Sequence, residues 1–208
     1  MPIRVTLRTS QDFSPFRELL HRVIALPNCD KLILCSGYIW EPSGQGYTVL
    51  NDELLDKLKS GCAGQEIIIV AGKLDGFWPE HYQNFVRRLR QSGLQVKAYV
   101  APRRNWHAKI AIRIRNQQPI AALIGSSNLT GPAYGENRYR WNFESDVLIW
   151  KNSPDLNEYF QRPFQADIPF GDMQLVLNPD IPQMNELEHL QGIYEDIINN
   201  DFEELSLE

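Results

Sequence analysis

Cysteine is scarce in this chain of 208 residues, which has three, Cys29, Cys35 and Cys62, with no CxxC spacing. An odd count at such spacings excludes a disulfide framework and a thiolate zinc site, and reads as small buried hydrophobes. Long apolar runs are missing as well. No stretch approaches the roughly 18–20 residues a bilayer span requires, so a membrane-embedded protein is excluded. The first residues, MPIRVTLRTSQDF, lack the apolar core of a secretory signal and run straight into a strand pattern, so a cytoplasmic protein is expected. No group of Asp, Glu and His has metal-ligand spacing, and no cofactor is expected. Internal repeats and low-complexity tracts are absent.

Net charge is −5, which taken alone argues against a nucleic-acid partner. The average conceals a polarity. Residues 101–140 carry Arg103, Arg104, Lys109, Arg113, Arg115, Arg138 and Arg140 against the single acid Glu136, a local +6. Residues 181–208 hold eight acids and no Lys or Arg. Screening confines each field to about 8 Å in physiological salt, so a basic face on an acidic protein still attracts phosphate.

Periodicity supplies the framework. Arg4 to Arg8 reads as a strand, and Ser14-Pro15 opens a helix with apolar residues at helical spacing through Ile24. Lys31 to Ile39 and Glu66 to Ala71 read as buried strands, Leu50 to Leu58 and Pro79 to Gln91 as helices. Leu94 to Val100, His107 to Ile114, Ile120 to Ile124 and Asp146 to Trp150 follow as strands. HAKIAIRI alternates apolar and polar residues, which predicts one exposed face. A helix is expected from Ser153 to Gln165, interrupted at Pro163, and an amphipathic helix from Met184 to Asn200. Strands alternating with helices and then strands in succession predict an α/β domain whose mixed β-sheet is flanked by helices. The expected organisation is a catalytic domain over 1–166 and an acidic C-terminal extension over 167–208, its helix packing on the domain or on a protein partner.

The stretch that carries chemistry is His107-Ala108-Lys109, then Gly125-Ser126-Ser127-Asn128, then Asn142-Phe143-Glu144. On a strand, residues i and i+2 share a face, so His107 and Lys109 are expected to project together. Ser126 and Asn128 follow the end of the next strand on a glycine turn. The set offers a nucleophile or acid–base, a cation and two neutral donors for an oxyanion, and a carboxylate able to orient an imidazole.

HAK, GSSN and the downstream N-x-E-x-x-V of Asn142, Glu144 and Val147 resemble the phospholipase D superfamily signature, sharply over residues 107–149 and only at the level of fold before that. The resemblance implies that His107 attacks phosphorus and forms a phosphohistidine, that Lys109, Asn128 and Ser126 hold phosphoryl oxygens, and that Glu144 orients His107. Two-step displacement through a covalent enzyme explains how such a site works without metal. Two departures stand out. Ile114 occupies a position where the family often has Asp, and the longer gap between Asn128 and Glu144 makes Glu136 a rival orienting carboxylate.

The implied mechanism needs two histidines from two motifs, and this chain has one motif. His21, His81 and His189 lack a lysine two residues on and read as surface or satisfied side chains. A homodimer whose two-fold axis pairs both motifs in one composite site is therefore expected. Small single-motif members most resemble metal-independent nucleases, including the catalytic part of certain restriction endonucleases. That implies cleavage of nucleic acid, DNA before RNA, and a role in defence. Arg103, Arg104, Arg113, Arg115, Arg138 and Arg140 are the candidate phosphate-tracking residues; Trp106, Tyr134, Tyr139 and Trp141 are candidates to pack or stack against nucleotides, with packing inside the domain or at the dimer interface the equal alternative. The alternatives are a phospholipid phosphodiesterase of the same superfamily and a non-catalytic scaffold on its fold.

Overall fold

Leu32 and Leu34 point to one side of their strand and Ile33 and Cys35 to the other, and all four are buried. Only a strand covered on both faces tolerates that pattern, so Lys31–Ser36 belongs in the middle of a layered fold. The computed structural model describes residues 2–8, 11–41, 48–72, 76–101, 106–135, 141–162, 191–192, 194–195 and 203–207. Within them the strands are β1 (Ile3–Arg8), β2 (Lys31–Ser36), β3 (Glu66–Ala71), β4 (Gln95–Val100), β5 (Ile110–Arg115), β6 (Gln118–Gly125), β7 (Glu144–Trp150) and β8 (Glu203–Glu204). They form one sheet in the order β1-β7-β6-β5-β2-β3-β4-β8. β2, β3 and β4 run parallel, and every other pairing is antiparallel.

The helices are α1 (Pro15–Ile24), α2 (Asp52–Gly61), α3 (Trp78–Gln91), the single turn α4 (Gly131–Tyr134) and α5 (Pro154–Gln161). Ser14 caps α1 by accepting from the Arg17 amide, with Pro15 already at the helical φ of the first turn. Asn51 does the same for α2 through the Leu54 amide. The buried residues of α1, α2, α3 and α5 join one cluster on one face of the sheet, built around Leu19, Val23, Leu58, Phe85, Leu89 and Phe160. Truncating one of these, for instance Leu19→Ala at 0% exposure, removes on the order of 2–5 kcal/mol. A smaller cluster lies on the opposite face, with Ile33, Val70, Ile112, Ala122 and Ile149. The architecture is the mixed, helix-flanked sheet that the order of elements predicts.

Several boundaries differ from expectation. β2 stops at Ser36 rather than Ile39, because the chain turns at Gly37 to bring Ile39 onto Leu129. β5 begins at Ile110, so His107 and Lys109 precede it instead of lying on it. β5 also pairs with β2 on one side and β6 on the other, and Ala111, Ile112, Arg113 and Ile114 are all buried. The half-exposed strand expected for HAKIAIRI is therefore corrected to an interior one. α5 ends at Gln161, before Pro163. The boundary expected at residue 166, most of the helix expected over 184–200, and His189 lie outside the described residues. Glu203–Glu204 pairs with Tyr99 and Val100 at the edge of the sheet, a strand not expected from the sequence.

Candidate active site

The antiparallel placement of β5 between β2 and β6 decides where polar residues collect. The last residue pairs of β2 and β6 are Cys35↔Ile110 and Ile110↔Ile124, and Gly125 pairs with Asp146 at the start of β7. The C-terminal ends of β2, β3 and β6 thus meet the N-terminal ends of β5 and β7 on one edge of the sheet. Chain direction also splits here, β3 leading one way from β2 and β5 the other, the kind of crevice that binds ligands in open α/β sheets.

His107 sits exposed at this edge, its ring edge-on to Tyr38 at 6.1 Å and 81°. The half-buried Lys109 donates from Nζ to the His107 carbonyl at 2.5 Å, and its own carbonyl accepts from the Gly125 amide at 3.1 Å. Burial lowers the Lys109 pKa, and the Glu144 charge partly opposes that shift. The 106–109 segment closes on the sheet because residue 72 is glycine. A Cβ there would lie 2.1 Å from the Trp106 carbonyl oxygen.

The G-S-S-N turn is held from both sides. Gly125 leaves no room for a side chain, since a Cβ would meet Asp146 Oδ1 at 2.0 Å. The buried Asp146 carboxylate accepts from Ser127 Oγ at 2.7 Å and from the Ser127 amide at 3.4 Å. Burial raises its pKa to about 6. Ser126, exposed, donates from Oγ to Glu144 and accepts from the Ser145 amide at 3.0 Å. Asn128 Oδ1 accepts from the Tyr38 amide at 3.1 Å and from Ser36 Oγ at 3.4 Å.

The structure therefore brings His107, Lys109, Ser126, Asn128 and Glu144 to one edge. Glu144 is buried, and its carboxylate takes Ser126 Oγ and, at 3.0 Å, Asn142 Nδ2; no hydrogen bond joins it to His107. Within one chain its oxygens meet the serine turn and Asn142. The rival Glu136 lies outside the described residues. Among the described residues no three His, Cys, Asp or Glu side chains cluster as a metal site would require.

The arginine expectations need correction at two positions. Arg113 is 0% exposed, and its guanidinium donates to the Leu26 carbonyl at 3.1 Å, the Gly61 carbonyl at 2.9 Å and Cys62 Sγ at 3.3 Å. A fully buried guanidinium spent on these acceptors is a core strut, not a phosphate contact. Arg115 bonds the Pro27 and Asn28 carbonyls and pairs with Asp155 at 3.0 Å. It lies at the end of β5 remote from His107. Arg103, Arg104, Arg138 and Arg140 lie outside the described residues.

Of the aromatics, Tyr134 is buried and bonded to His21 Nε2 at 2.6 Å, so it does not meet nucleotides. Trp106 is half-buried against the smaller core cluster. Trp141 packs on Phe143 at 4.6 Å, and Tyr139 lies outside the described residues. His21 is a satisfied core histidine, desolvated to a pKa of about 4. His81 stacks on Trp40 at 4.5 Å.

Two structural residues escape sequence reasoning altogether. Asp146 is hidden because its partner is a turn residue nineteen positions away. Arg8 reads as a polar strand residue, yet it is buried and donates to the carbonyls of Pro132, Ala133 and Gly135, fastening the segment that follows the serine turn.

Among solved structures, this fold resembles a phosphatidylserine synthase from Haemophilus influenzae Rd KW20, at TM-score 0.50 and 13% identity over 95% of this chain and 45% of that one. It also resembles Nuc, a phospholipase D family member from Salmonella typhimurium, at TM-score 0.47 and 21% identity over 77% of this chain and 90% of that one. A third likeness is NucT from Helicobacter pylori, at TM-score 0.44 and 13% identity over 76% and 94% of the two chains. No curated protein matches the sequence. The family model described as the NgoFVII restriction endonuclease N-terminal PLD domain matches residues 19–162, which includes every residue of the HAK, GSSN and Asn142–Glu144 segments. With more than half the chain so matched on a phospholipase D-type fold, the protein belongs to the family of the NgoFVII restriction endonuclease N-terminal PLD domain.

Proposed function

We propose that the protein is a metal-independent phosphodiesterase that cleaves DNA through a covalent phosphohistidine, in a composite site made by two copies of the chain. The observation that carries this reading is the meeting of His107, Lys109, Ser126 and Asn128 on one sheet edge, with His107 open to solvent. Nucleic acid, rather than lipid, is favoured by the family to which the chain belongs. No helix among the described residues is long and apolar enough to cross a membrane.

In the first step a ring nitrogen of His107 attacks phosphorus, and the P–N bond forms as the P–O bond to the leaving strand breaks. The leaving oxygen takes a proton from the imidazolium of the same residue in a second copy. In the second step water gives a proton back to that imidazole, and its oxygen displaces His107 from phosphorus. The products are an alcohol end and a phosphomonoester end, and both histidines return to their starting states. Lys109 and the Asn128 NH2 stabilise charge on the non-bridging oxygens, where fixed donors matter more than covalent chemistry.

The supply of histidines among the described residues supports the second copy. His21 is buried against Tyr134, and His81 is stacked on Trp40. Neither offers a ring beside His107. In buffers containing EDTA, plasmid and single-stranded DNA are expected to be cut by the wild type and not by His107→Ala, with light scattering giving a dimer for both. Activity lost to chelation, or a fully active monomer, would overturn the proposal.

A further inference from the structure

A row of aromatic rings that the proposed chemistry does not use begins at His107. Tyr38 stands edge-on to His107 and packs on Trp78 at 4.6 Å. Trp78 meets Phe77 at 4.9 Å and Trp40 at 5.7 Å. Trp40 in turn lies nearly parallel to His81, 4.5 Å away with 22° between planes. Phe77 stands edge-on to both Trp40 and His81, at 82° and 84°, and remains 53% exposed. Burial lowers the His81 pKa, and the nearby Glu80 charge partly opposes that shift.

The core accounts for one end of this row only: Trp40 packs on the larger cluster, whereas Tyr38, Phe77 and Trp78 belong to neither. Its position is set by the parallel pairing of β2 and β3, which carries the residues after Ser36 and those leading into α3 to the same sheet edge as His107. A group lying on the row is therefore attached to, or next to, a phosphate held at His107. Flat rings with polar edges suit a flat π-face, and an aliphatic chain gains nothing from their stacking geometry. Bases in a duplex have both faces covered by neighbours, so only an unpaired base fits.

We infer that the Tyr38–Trp78–Phe77–Trp40 row is a stacking platform for unpaired bases flanking the scissile phosphate, so that the strand cleaved is single-stranded or locally opened. The inference rests on the phosphodiesterase reading and deepens it by naming the substrate's form.

The test uses the full chain carrying His107→Ala, titrated by fluorescence anisotropy with an oligothymidylate and with a strand of the same length made of abasic sites. Both carry the same phosphates. Stacking predicts that the base-bearing strand binds about tenfold or more tightly, and that adding the exposed-site change Phe77→Ala shrinks the preference to about twofold. Equal affinities, or a preference that Phe77→Ala leaves intact, overturn the platform. So does light scattering in which Phe77→Ala turns dimers into monomers, which would make the row a contact between copies. Wild-type turnover of the two strands separates the readings. Equal cleavage of both removes the platform and keeps the phosphodiesterase; cleavage of neither removes the phosphodiesterase.

Discussion

Ser127 Oγ donates a 2.7 Å hydrogen bond to Asp146 Oδ2, joining the end of β6 to the start of β7 directly beneath Ser126 and Glu144. The carboxylate pays for its burial, and its pKa rises from 3.8 to about 6. A raised acid favours the folded state most below its unfolded pKa, and that contribution disappears as pH climbs through the folded value. Relative to Asp146→Asn, the wild type should thus lose stability between about pH 4 and pH 6. The loss is on the order of 2–3 kcal/mol by the free-energy equivalent of the shift. Denaturant unfolding of both proteins across that range measures it. A difference that stays constant with pH would remove Asp146 from this role.

Two glycines separate crowding from backbone strain. A Cβ at Gly125 would lie 2.0 Å from Asp146 Oδ1, whereas one at Gly64 meets nothing within 4 Å but sits at φ +69°. Gly64→Ala should cost about 1 kcal/mol with activity intact, the penalty of a left-handed conformation alone. Gly125→Ala should cost on the order of 3 kcal/mol through overpacking and abolish cleavage, because it drives Asp146 off Ser127. Unfolding midpoints and cleavage rates of the two variants provide the check, and equal losses would argue against the crowding.

Arg113→Met tests whether that arginine binds phosphate or braces the core. Removing it strands the carbonyls of Leu26 and Gly61 that its guanidinium satisfies. Unfolding free energy should fall by about 3 kcal/mol, given the cost of buried unpaired polar groups. The slope of log Kd for DNA against log salt should not change, since that slope counts phosphate contacts. A slope reduced by about one contact, with stability unchanged, would restore the surface reading.

How far the sequence carries the structure differs from residue to residue. His107, Lys109, Ser126 and Asn128 are legible as a set because each stands at a strand end that local patterning marks. Arg113 is not: alternation in HAKIAIRI looks the same whether a strand is half-exposed or central. The acceptors that permit burial of its charge come from Leu26, Gly61 and Cys62, far away in sequence. The aromatic row is hidden for a similar reason, since Tyr38 and Trp40 meet Phe77, Trp78 and His81 only through the pairing of β2 with β3. Family likeness assigns Glu144 to His107, but the described geometry gives its oxygens to Ser126 and Asn142.

That geometry makes Glu144 and Ser126 one unit. Glu144→Ala and Ser126→Ala should each slow cleavage by about tenfold to a hundredfold, and the double variant should be little worse than either, as interacting partners are not additive. Single-turnover rates of the three variants give the coupling. Multiplicative losses, or a Glu144→Ala defect as deep as that of His107→Ala, would instead place the carboxylate on the imidazole.

Covalent attack by His107 is tested most directly by trapping. Denaturing an EDTA-containing reaction on end-labelled DNA within the first turnover should leave label covalently attached to the protein. Peptide mapping should place that adduct at His107, joined through an acid-labile P–N bond, and His107→Ala should yield none. DNA cut at full rate with no adduct at any time point, or an adduct on another residue, would contradict nucleophilic catalysis by this histidine.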